Sequence, residues 1–386
     1  MKRNIRIGVT GAGLGGATLG GLLQREGFDV RVFEQAPAFD RIGAGIHLTA
    51  NVMKVLRYLG VERALSDVGL HPDSFMSRKW DDGAVLFELP LGEAGEQKYG
   101  ATYITVHRGD LHVTIASAMR SGTIEFGKKL ASLERGNPLR LKFGDGSKAE
   151  VDVLVGADGV NSCVRQLLLG PDKPRFTGHV AHRAIYPSHL LGDVKIRDCT
   201  KWWGPKSHIL IYYITKARDE VYLVTSAPQQ EWTESASYIP CSRHEVLAAF
   251  EGFHAEVCAV IALAPQLTKW PIFDREPLEQ WSDGNITMLG DACHPMRPYM
   301  AQGAAMAIED AAILSRCFAS DGTKDVADVF ALYEANRVPR TTKVQAVSLA
   351  NTFLREPTDP TWAFAYDATT IPLQKPQREA PAAYLL

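Results

Sequence analysis

A glycine-rich turn near the start of the chain, residues 11–16, constrains the fold more than any other feature of the sequence. It follows an alternating apolar run at residues 5–9 and precedes a helical pattern of leucines at residues 19–23. In such a strand–turn–helix unit, glycines allow the tight turn, the approach of a pyrophosphate and close packing of the helix against the strand. The pattern predicts an α/β domain that binds a dinucleotide. The predicted cofactor contacts in this turn are Gly11, Gly13, Leu14, Gly15 and Gly16.

An acidic residue at the end of the next apolar run supports this interpretation. Residues 30–33 lead to Glu34, where a carboxylate is placed to bind the ribose hydroxyls of an adenosine. Its neighbour Gln35 is a further predicted cofactor contact. The alternative is a glycine-rich turn in an ordinary α/β domain that binds no nucleotide, and the turn alone does not exclude it.

A second motif, near residue 290, indicates which dinucleotide is bound. The apolar run 286–289 ends at Gly290, and Asp291 can then accept hydrogen bonds from ribityl hydroxyls. The loop that follows can lie against a planar ring, and free N–H groups at the next helix start can hold negative charge. Because one extended ligand would touch both ends of the chain, FAD fits better than NAD. Gly303 and Ala304, near that helix start, complete this set of predicted FAD contacts.

A third motif, Asp158-Gly159, completes a resemblance to a known family. With all three motifs, the chain resembles the single-component flavoprotein aromatic hydroxylases, the group of salicylate and para-hydroxybenzoate hydroxylases. The resemblance spans most of the chain. It implies an α/β fold with a Rossmann-type FAD-binding domain, an inserted, mostly antiparallel β-sheet substrate domain and C-terminal helices. It also implies that Arg108, before a short helix, and Asp158 contact FAD.

The expected domain division interleaves the two domains. The FAD-binding domain comprises residues 1–72, 99–171 and 276–356, the substrate domain residues 73–98 and 172–275, and the C-terminal tail residues 357–386. Runs at 207–213 and 220–225 alternate or are rich in β-branched and aromatic residues, which favours an antiparallel sheet. The tail has several prolines and little periodicity, so we expect an arm or a partly disordered segment.

The resemblance also suggests the residues of the substrate site. Within the family, stretches such as 33–39, 43–47 and 351–354 are most similar to members that act on 6-hydroxynicotinate. This implies His47, which also contacts the cofactor, and Tyr212 as acid/base and substrate-contacting residues. The implied substrate contacts are His47, Cys199, His208, Tyr212, Pro298 and Tyr299. Tyr299 stands where the family resemblance leads us to expect histidine.

The implied reaction is the decarboxylative hydroxylation of 6-hydroxynicotinate to 2,5-dihydroxypyridine, with NADH and O2, through a hydroperoxide at flavin C4a. An aromatic ring attacks such an oxygen well when its hydroxyl is deprotonated, so a base with a pKa near neutrality is useful, and His47 meets that requirement. Tyr212 could relay the proton or orient the ring hydroxyl. Arg297 and Tyr299 could hold the carboxylate. NADH rather than NADPH rests on the resemblance alone.

Three alternatives remain open at the level of sequence. The substrate could be benzenoid, as for a salicylate-type hydroxylase. The chain could be another flavoenzyme, an oxidase or a halogenase, although it contains no Trp-x-Trp-x-Ile-Pro segment. It could also be a flavin-binding regulator without catalytic activity.

Composition excludes several other classes of protein. The 386 residues carry a net charge of −2, so we expect no nucleic-acid partner, and the chain has no apolar run long enough for a membrane span. The start of the chain leads directly into the first strand, so we expect no signal peptide. The 6 cysteines are scattered without metal-ligand spacing. We therefore expect a cytoplasmic enzyme without metal, a monomer or homodimer, whose partner is a small aromatic acid.

Overall fold

The computed structural model describes residues 5–40, 44–323 and 325–376. Within these residues the strands are β1 (Arg6–Thr10), β2 (Asp29–Phe33), β3 (Gly45–Leu48), β4 (Ser74–Lys79), β5 (Val85–Pro90), β6 (Ile104–His107), β7 (Ile124–Glu125), β8 (Leu130–Glu134), β9 (Leu139–Phe143), β10 (Lys148–Val151), β11 (Val153–Gly156), β12 (Arg175–Pro187), β13 (Cys199–Trp203), β14 (His208–Tyr213), β15 (Glu220–Pro228), β16 (Ile239–Cys241), β17 (Leu267–Asp274) and β18 (Ile286–Met288). The α-helices are α1 (Leu14–Arg25), α2 (Ala50–Leu59), α3 (Glu62–Val68), α4 (Glu93–Tyr99), α5 (Arg108–Ala116), α6 (Cys163–Leu169), α7 (Arg243–Ala249), α8 (Ala255–Leu263), α9 (Gly303–Ala319), α10 (Val326–Ala350) and α11 (Thr361–Phe364). Short 3-10 helices span Ser188–Leu191, Gly290–Ala292 and Pro298–Met300.

A five-stranded parallel sheet carries the cofactor motifs. Its order is β18-β11-β1-β2-β7, and each neighbouring pair is parallel. The carboxyl ends of parallel strands meet at one edge of a sheet, where open α/β folds bind their ligands. The residues that follow β1, β2, β11 and β18 at this edge are Gly11, Glu34, Ala157 and Leu289. Pairing therefore brings the three motifs, far apart in sequence, to a single edge.

A second sheet of eight strands has the order β16-β17-β12-β15-β14-β13-β4-β5, and all its pairs except β13 with β4 are antiparallel. Side chains alternate between its faces. On β14, Ile209 and Ile211 pack into an apolar cluster with helices α7 and α8, whereas Tyr212 belongs to the main core on the other face. The α/β fold class, with its mostly antiparallel second sheet, is confirmed.

These eight strands fall within residues 73–98 and 172–275, and the strands of the parallel sheet fall outside both ranges. The exact domain boundaries stay a prediction.

A small antiparallel sheet, β3 with β6, lies between the two large sheets. It pairs His47 with Thr105, and the Thr105 Oγ1 hydroxyl donates to the carbonyl of Tyr213, at the end of β14, over 2.7 Å. The N–H of Arg108, directly after β6, donates to the carbonyl of Ala44 over 2.8 Å. This sheet fixes His47 and Arg108 beside the parallel sheet's ligand edge.

The segment after α10 is packed against the body of the protein. Phe364 of α11 is 2% exposed and contacts the rings of Tyr99 and Phe353. Arg316 donates to the carbonyls of Ala368 and Ile371, both over 2.8 Å. The prediction of an arm was therefore wrong for residues 357–376, because cation-to-carbonyl bonds, which leave no periodic pattern, hold them. Residues 377–386 lie outside the described residues. No helix in the described ranges is both long and apolar enough to cross a bilayer.

A buried ionic network joins α9 and α10 to the loop after β18. Arg337 donates to Glu309 over 2.8 Å and to Asp310 over 2.6 Å, and all three side chains are fully buried. Asp310 also accepts the N–H of Gly290 over 3.0 Å and contacts His294 Nε2 over 2.6 Å. Although burial opposes its ionisation, the charges around Asp310 hold the pKa of its carboxyl below the ordinary value. The network therefore fixes the loop that carries the Gly-Asp motif.

We expect Arg337→Met to lower the free energy of unfolding by about 3–5 kcal/mol, because it removes a cation that two buried carboxylates share. Urea unfolding measures the change. The control is Arg218→Met, which removes a partly exposed pair with Asp198 and should cost less than about 1 kcal/mol. An effect at Arg337 no larger than that at Arg218 would contradict this role for the network.

Candidate active site

A cleft of about 370 Å³ lies along the carboxyl edge of the parallel sheet. It is bounded by the glycine turn, β3, β14, the loops after β11 and β18, and the start of α9. The predicted cofactor residues that line it are Gly13, Leu14, Gly15, Gly16, His47, Arg108, Gly290, Asp291, Gly303 and Ala304.

The glycines of the turn have two different environments: some are tightly packed, and one lies at an open surface. Gly11 has a φ of +92°, and a Cβ there would lie 2.4 Å from the carbonyl of Ala157. A Cβ on Gly16 would lie 2.0 Å from the Gly11 carbonyl. At Gly13, by contrast, a Cβ would meet no atom within 4 Å in the part of the chain that the structure describes. Gly13 thus leaves bare backbone at the cleft beside the start of α1, which fits a pyrophosphate.

The Glu34 carboxylate lies beside the glycine turn, although Glu34 is not among the residues that line the cleft. One oxygen accepts the N–H of Ala12 and the other that of Ala36, each over 2.8 Å. Each carboxylate oxygen can accept a further bond, which suits ribose hydroxyls. Gln35 is exposed and is not among the cleft-lining residues.

The Asp-Gly motif after β11 reaches the cleft through Ala157 and Gly159 rather than through its carboxylate. Asp158 accepts the N–H of Cys163 over 2.8 Å and that of Val164 over 3.2 Å at the start of α6. Its contact with FAD stays a prediction. Arg183, on β12, lines the cleft together with Arg108 and was missed by the sequence analysis. Nothing in the spacing around Arg183 distinguishes it from a surface arginine.

A smaller inner pocket of about 70 Å³ adjoins the cleft. Both cavities are lined by His47, Leu210, Val224, Pro298 and Ala301. The inner pocket is also lined by Thr49, Phe75, Tyr103, Lys201, His208, Thr225, Tyr299, Met300, Phe353, Leu354 and Phe364. The C-terminal segment therefore supplies part of the wall, which the sequence analysis missed because it treated this segment as a tail.

His47 lies where the two cavities meet. Its imidazole is 4% exposed, and Nδ1 forms a hydrogen bond of 2.5 Å with the hydroxyl of Tyr103. Nε2 has no hydrogen-bond partner among the described residues. The ring of Tyr212 lies edge-on to the imidazole, with centroids 4.2 Å apart. A buried nitrogen without a partner is costly in a protein, so Nε2 is suited to a ligand.

The prediction of a near-neutral pKa for His47 was wrong. Burial, together with the charge of Lys201, lowers its pKa to about 3. The imidazole is therefore neutral at physiological pH and can accept a hydrogen bond from a ring hydroxyl. It becomes a stronger base only when negative charge enters the pocket.

The other predicted substrate residues occupy different positions. His208 and Tyr299 line the inner pocket, Tyr212 lines the cleft, and Pro298 lines both. Cys199 is buried at 1% exposure and lines neither cavity.

Tyr299 is held by Ser226, whose Oγ lies 3.0 Å from the phenol oxygen, and its ring packs edge-on against His208. Arg297 does not line either cavity, and its Nε donates to Asp274 over 2.9 Å. The prediction that Arg297 holds a substrate carboxylate was wrong, because its charge is used in this ion pair.

Comparison with known proteins agrees with this geometry. The family described as FAD binding domain matches residues 4–348. The chain belongs to this family of FAD-dependent aromatic monooxygenases. The 6-hydroxynicotinate 3-monooxygenase of Bordetella bronchiseptica is 49% identical, over 98% of this chain and 100% of that protein. The enzyme of the same name from Pseudomonas fluorescens is 47% identical, over 99% and 100%.

Solved structures show the same fold. A salicylate hydroxylase substrate complex superposes with a TM-score of 0.80, at 22% identity, over 95% of this chain and 97% of that chain. Klebsiella pneumoniae HpxO with FAD and uric acid superposes with a TM-score of 0.81, at 24% identity, over 92% and 90%. The protein binds FAD, and the open backbone at Gly13 and the placement of Glu34 fit that cofactor.

We expect Gly13→Ala to weaken FAD binding at least ~10-fold, about 1.4 kcal/mol, since the methyl group projects into open space beside the proposed pyrophosphate position. The unfolding temperature of the apoprotein should not change, because the methyl group meets no atom of the described residues within 4 Å. Fluorescence titration of apoprotein with FAD measures affinity. Gly144→Ala, in the turn between β9 and β10, is the control, and equal FAD affinity in both variants would refute the assignment.

Proposed function

We propose that this enzyme catalyses the NADH- and O2-dependent decarboxylative hydroxylation of 6-hydroxynicotinate to 2,5-dihydroxypyridine. The observation that carries the proposal is the unpartnered Nε2 of His47, which lies where the FAD cleft opens into an enclosed pocket. Two relatives that match over nearly their whole length bear the name of this activity.

The residues at the junction can prepare the substrate. When bound in the cleft, FAD would supply the redox chemistry, which is hydride acceptance from NADH and activation of O2. His47 Nε2 accepts the hydrogen bond of the ring hydroxyl, and Tyr103 fixes the imidazole through Nδ1. Tyr212, edge-on to that imidazole, limits its rotation. Aromatic walls, including Phe75 and Phe364, exclude water from the ring.

Atoms and charge balance in the proposed reaction. The 6-hydroxynicotinate anion, O2, NADH and two protons give 2,5-dihydroxypyridine, CO2, NAD+ and water. Loss of the hydroxyl proton supplies electrons to the ring carbon that bears the carboxylate, and a C–O bond forms there with one atom of the activated O2 while the O–O bond breaks. The C–C bond to the carboxylate then breaks, and its electron pair restores the aromatic ring as CO2 leaves. The second oxygen atom leaves as water.

Anaerobic stopped-flow reduction of the holoenzyme by NADH tests the proposal. We expect 6-hydroxynicotinate to accelerate bleaching of the flavin and, in air, to be consumed with release of CO2. Acceleration by salicylate alone would move the activity to the benzenoid alternative. Flavin reduction that responds to no hydroxylated aromatic acid would overturn the monooxygenase assignment for this site.

His47→Gln tests the residue at the junction. We expect kcat per bound FAD with 6-hydroxynicotinate to fall about 100-fold or more, because the base is lost. The control is His244→Gln, which alters an exposed histidine of α7 on the far layer of the eight-stranded sheet. Equal turnover in the two variants would show that His47 takes no part in the chemistry.

A further inference from the structure

The inner pocket contains a buried lysine that the proposed chemistry has not yet used. Lys201 is 4% exposed and lies on β13 between Cys199 and Trp203, in register with Leu210 of β14. Lysine is rarely buried unless its charge is paired. No carboxylate forms an ion pair with Lys201 in the part of the chain that the structure describes.

Among the described residues, the ammonium group of Lys201 has only weak partners. Nζ lies 3.7 Å from the ring centroid of Trp203 and 3.4 Å from the carbonyl oxygen of Tyr299. The aromatic ring and the carbonyl stabilise a cation without neutralising it. An ammonium group has three donors, so further hydrogen bonds can be directed to a ligand.

In the described ranges, no acidic side chain lines the pocket around Lys201. The residues that line the inner pocket include two histidines, His47 and His208, and none of them is aspartate or glutamate. The positive charge of Lys201 lowers the pKa of both histidines, in addition to the larger effect of burial. An anionic ligand would neutralise the ammonium charge in this pocket and stabilise it, because a buried charge without a partner is destabilising.

We propose that Lys201 is the counter-ion of the substrate carboxylate and the residue that selects acids over neutral rings in this pocket. The inference rests on the proposed function and replaces Arg297 as the carboxylate-binding cation. A charge-assisted bond from Nζ to the carboxylate would fix the rotation of the ring within the pocket. Lys201 then determines which ring carbon faces the cleft.

The proposal includes a pH dependence. Burial lowers the pKa of Lys201 to about 7, so the free enzyme loses the cation as pH rises through that value. The other titratable groups nearby are His47, His208, Cys199, Tyr103, Tyr212 and Tyr299. A second cation, Arg355, lies with its guanidinium carbon 5.9 Å from the centroid of the Trp203 ring that Lys201 also contacts. Burial lowers the pKa of the histidines and raises that of the thiol and phenols, which places their titration away from neutrality. The dissociation constant for the acid should therefore rise about tenfold per pH unit above 7.

Flavin absorbance titrations of the oxidised holoenzyme, without NADH, test the proposal. The ligands are 6-hydroxynicotinate and 2-hydroxypyridine, which lacks the carboxylate. We expect Lys201→Met to weaken binding of the acid about 100-fold at pH 6.5, to abolish its pH dependence, and to leave the neutral ring unaffected. Lys269→Met, which alters a lysine paired with Glu245 outside the pocket, should resemble the wild type.

Different titration results would contradict the role of Lys201 and the proposed substrate. Unchanged affinity of Lys201→Met for the acid, or equal losses for the acid and the neutral ring, overturns the role of Lys201. If the wild type binds salicylate but not 6-hydroxynicotinate, the proposed substrate is wrong, and the same variants then test Lys201 with salicylate and phenol. If the wild type binds no acid, both proposals are overturned. FAD content confirms that each variant is folded.

Discussion

Parallel pairing of β1 with β2 and β11, and of β11 with β18, is the constraint on which the rest of the structure depends. After β11 the chain leaves this sheet to form β12–β17 of the eight-stranded sheet, and it returns through β18. Because all four strands end at one edge, residues separated by nearly the whole sequence form one cleft. The ionic network around Asp310 holds the last of these strand ends against α9 and α10.

The fold could be predicted from the sequence because the motifs that indicate it are short and local. The glycine turn requires a positive φ at Gly11 and bare backbone at Gly13, and few residue types meet those requirements. The β-branched and aromatic residues at 207–213 likewise favour a strand. The burial of residues 357–376 left no such signal, because it depends on arginines of α9 and α10 that donate to backbone carbonyls.

The inner pocket was harder to predict because its chemistry depends on tertiary burial. The residue type of His47 suggests a neutral-range base, yet its surroundings move the pKa to about 3. Arg297 appeared suited to a carboxylate, but Asp274, from β17, already pairs with it. Lys201 was not among the predicted site residues, and the register of β13 with β14 places it beside Leu210 in the pocket. In each case the sequence shows the type of the residue, but it does not show which groups surround that residue in the folded protein.

The charges of Lys201 and His47 are coupled, and this gives substrate binding a second consequence. Lys201 opposes protonation of His47, so a proton on the imidazole is disfavoured while the ammonium charge is unneutralised. An anion bound at Lys201 would cancel that repulsion and raise the basicity of His47. A neutral ring in the same pocket would leave the imidazole a weak base. Binding of the carboxylate at Lys201 and activation of the ring hydroxyl by His47 are therefore coupled, although the two residues lie on different sheets.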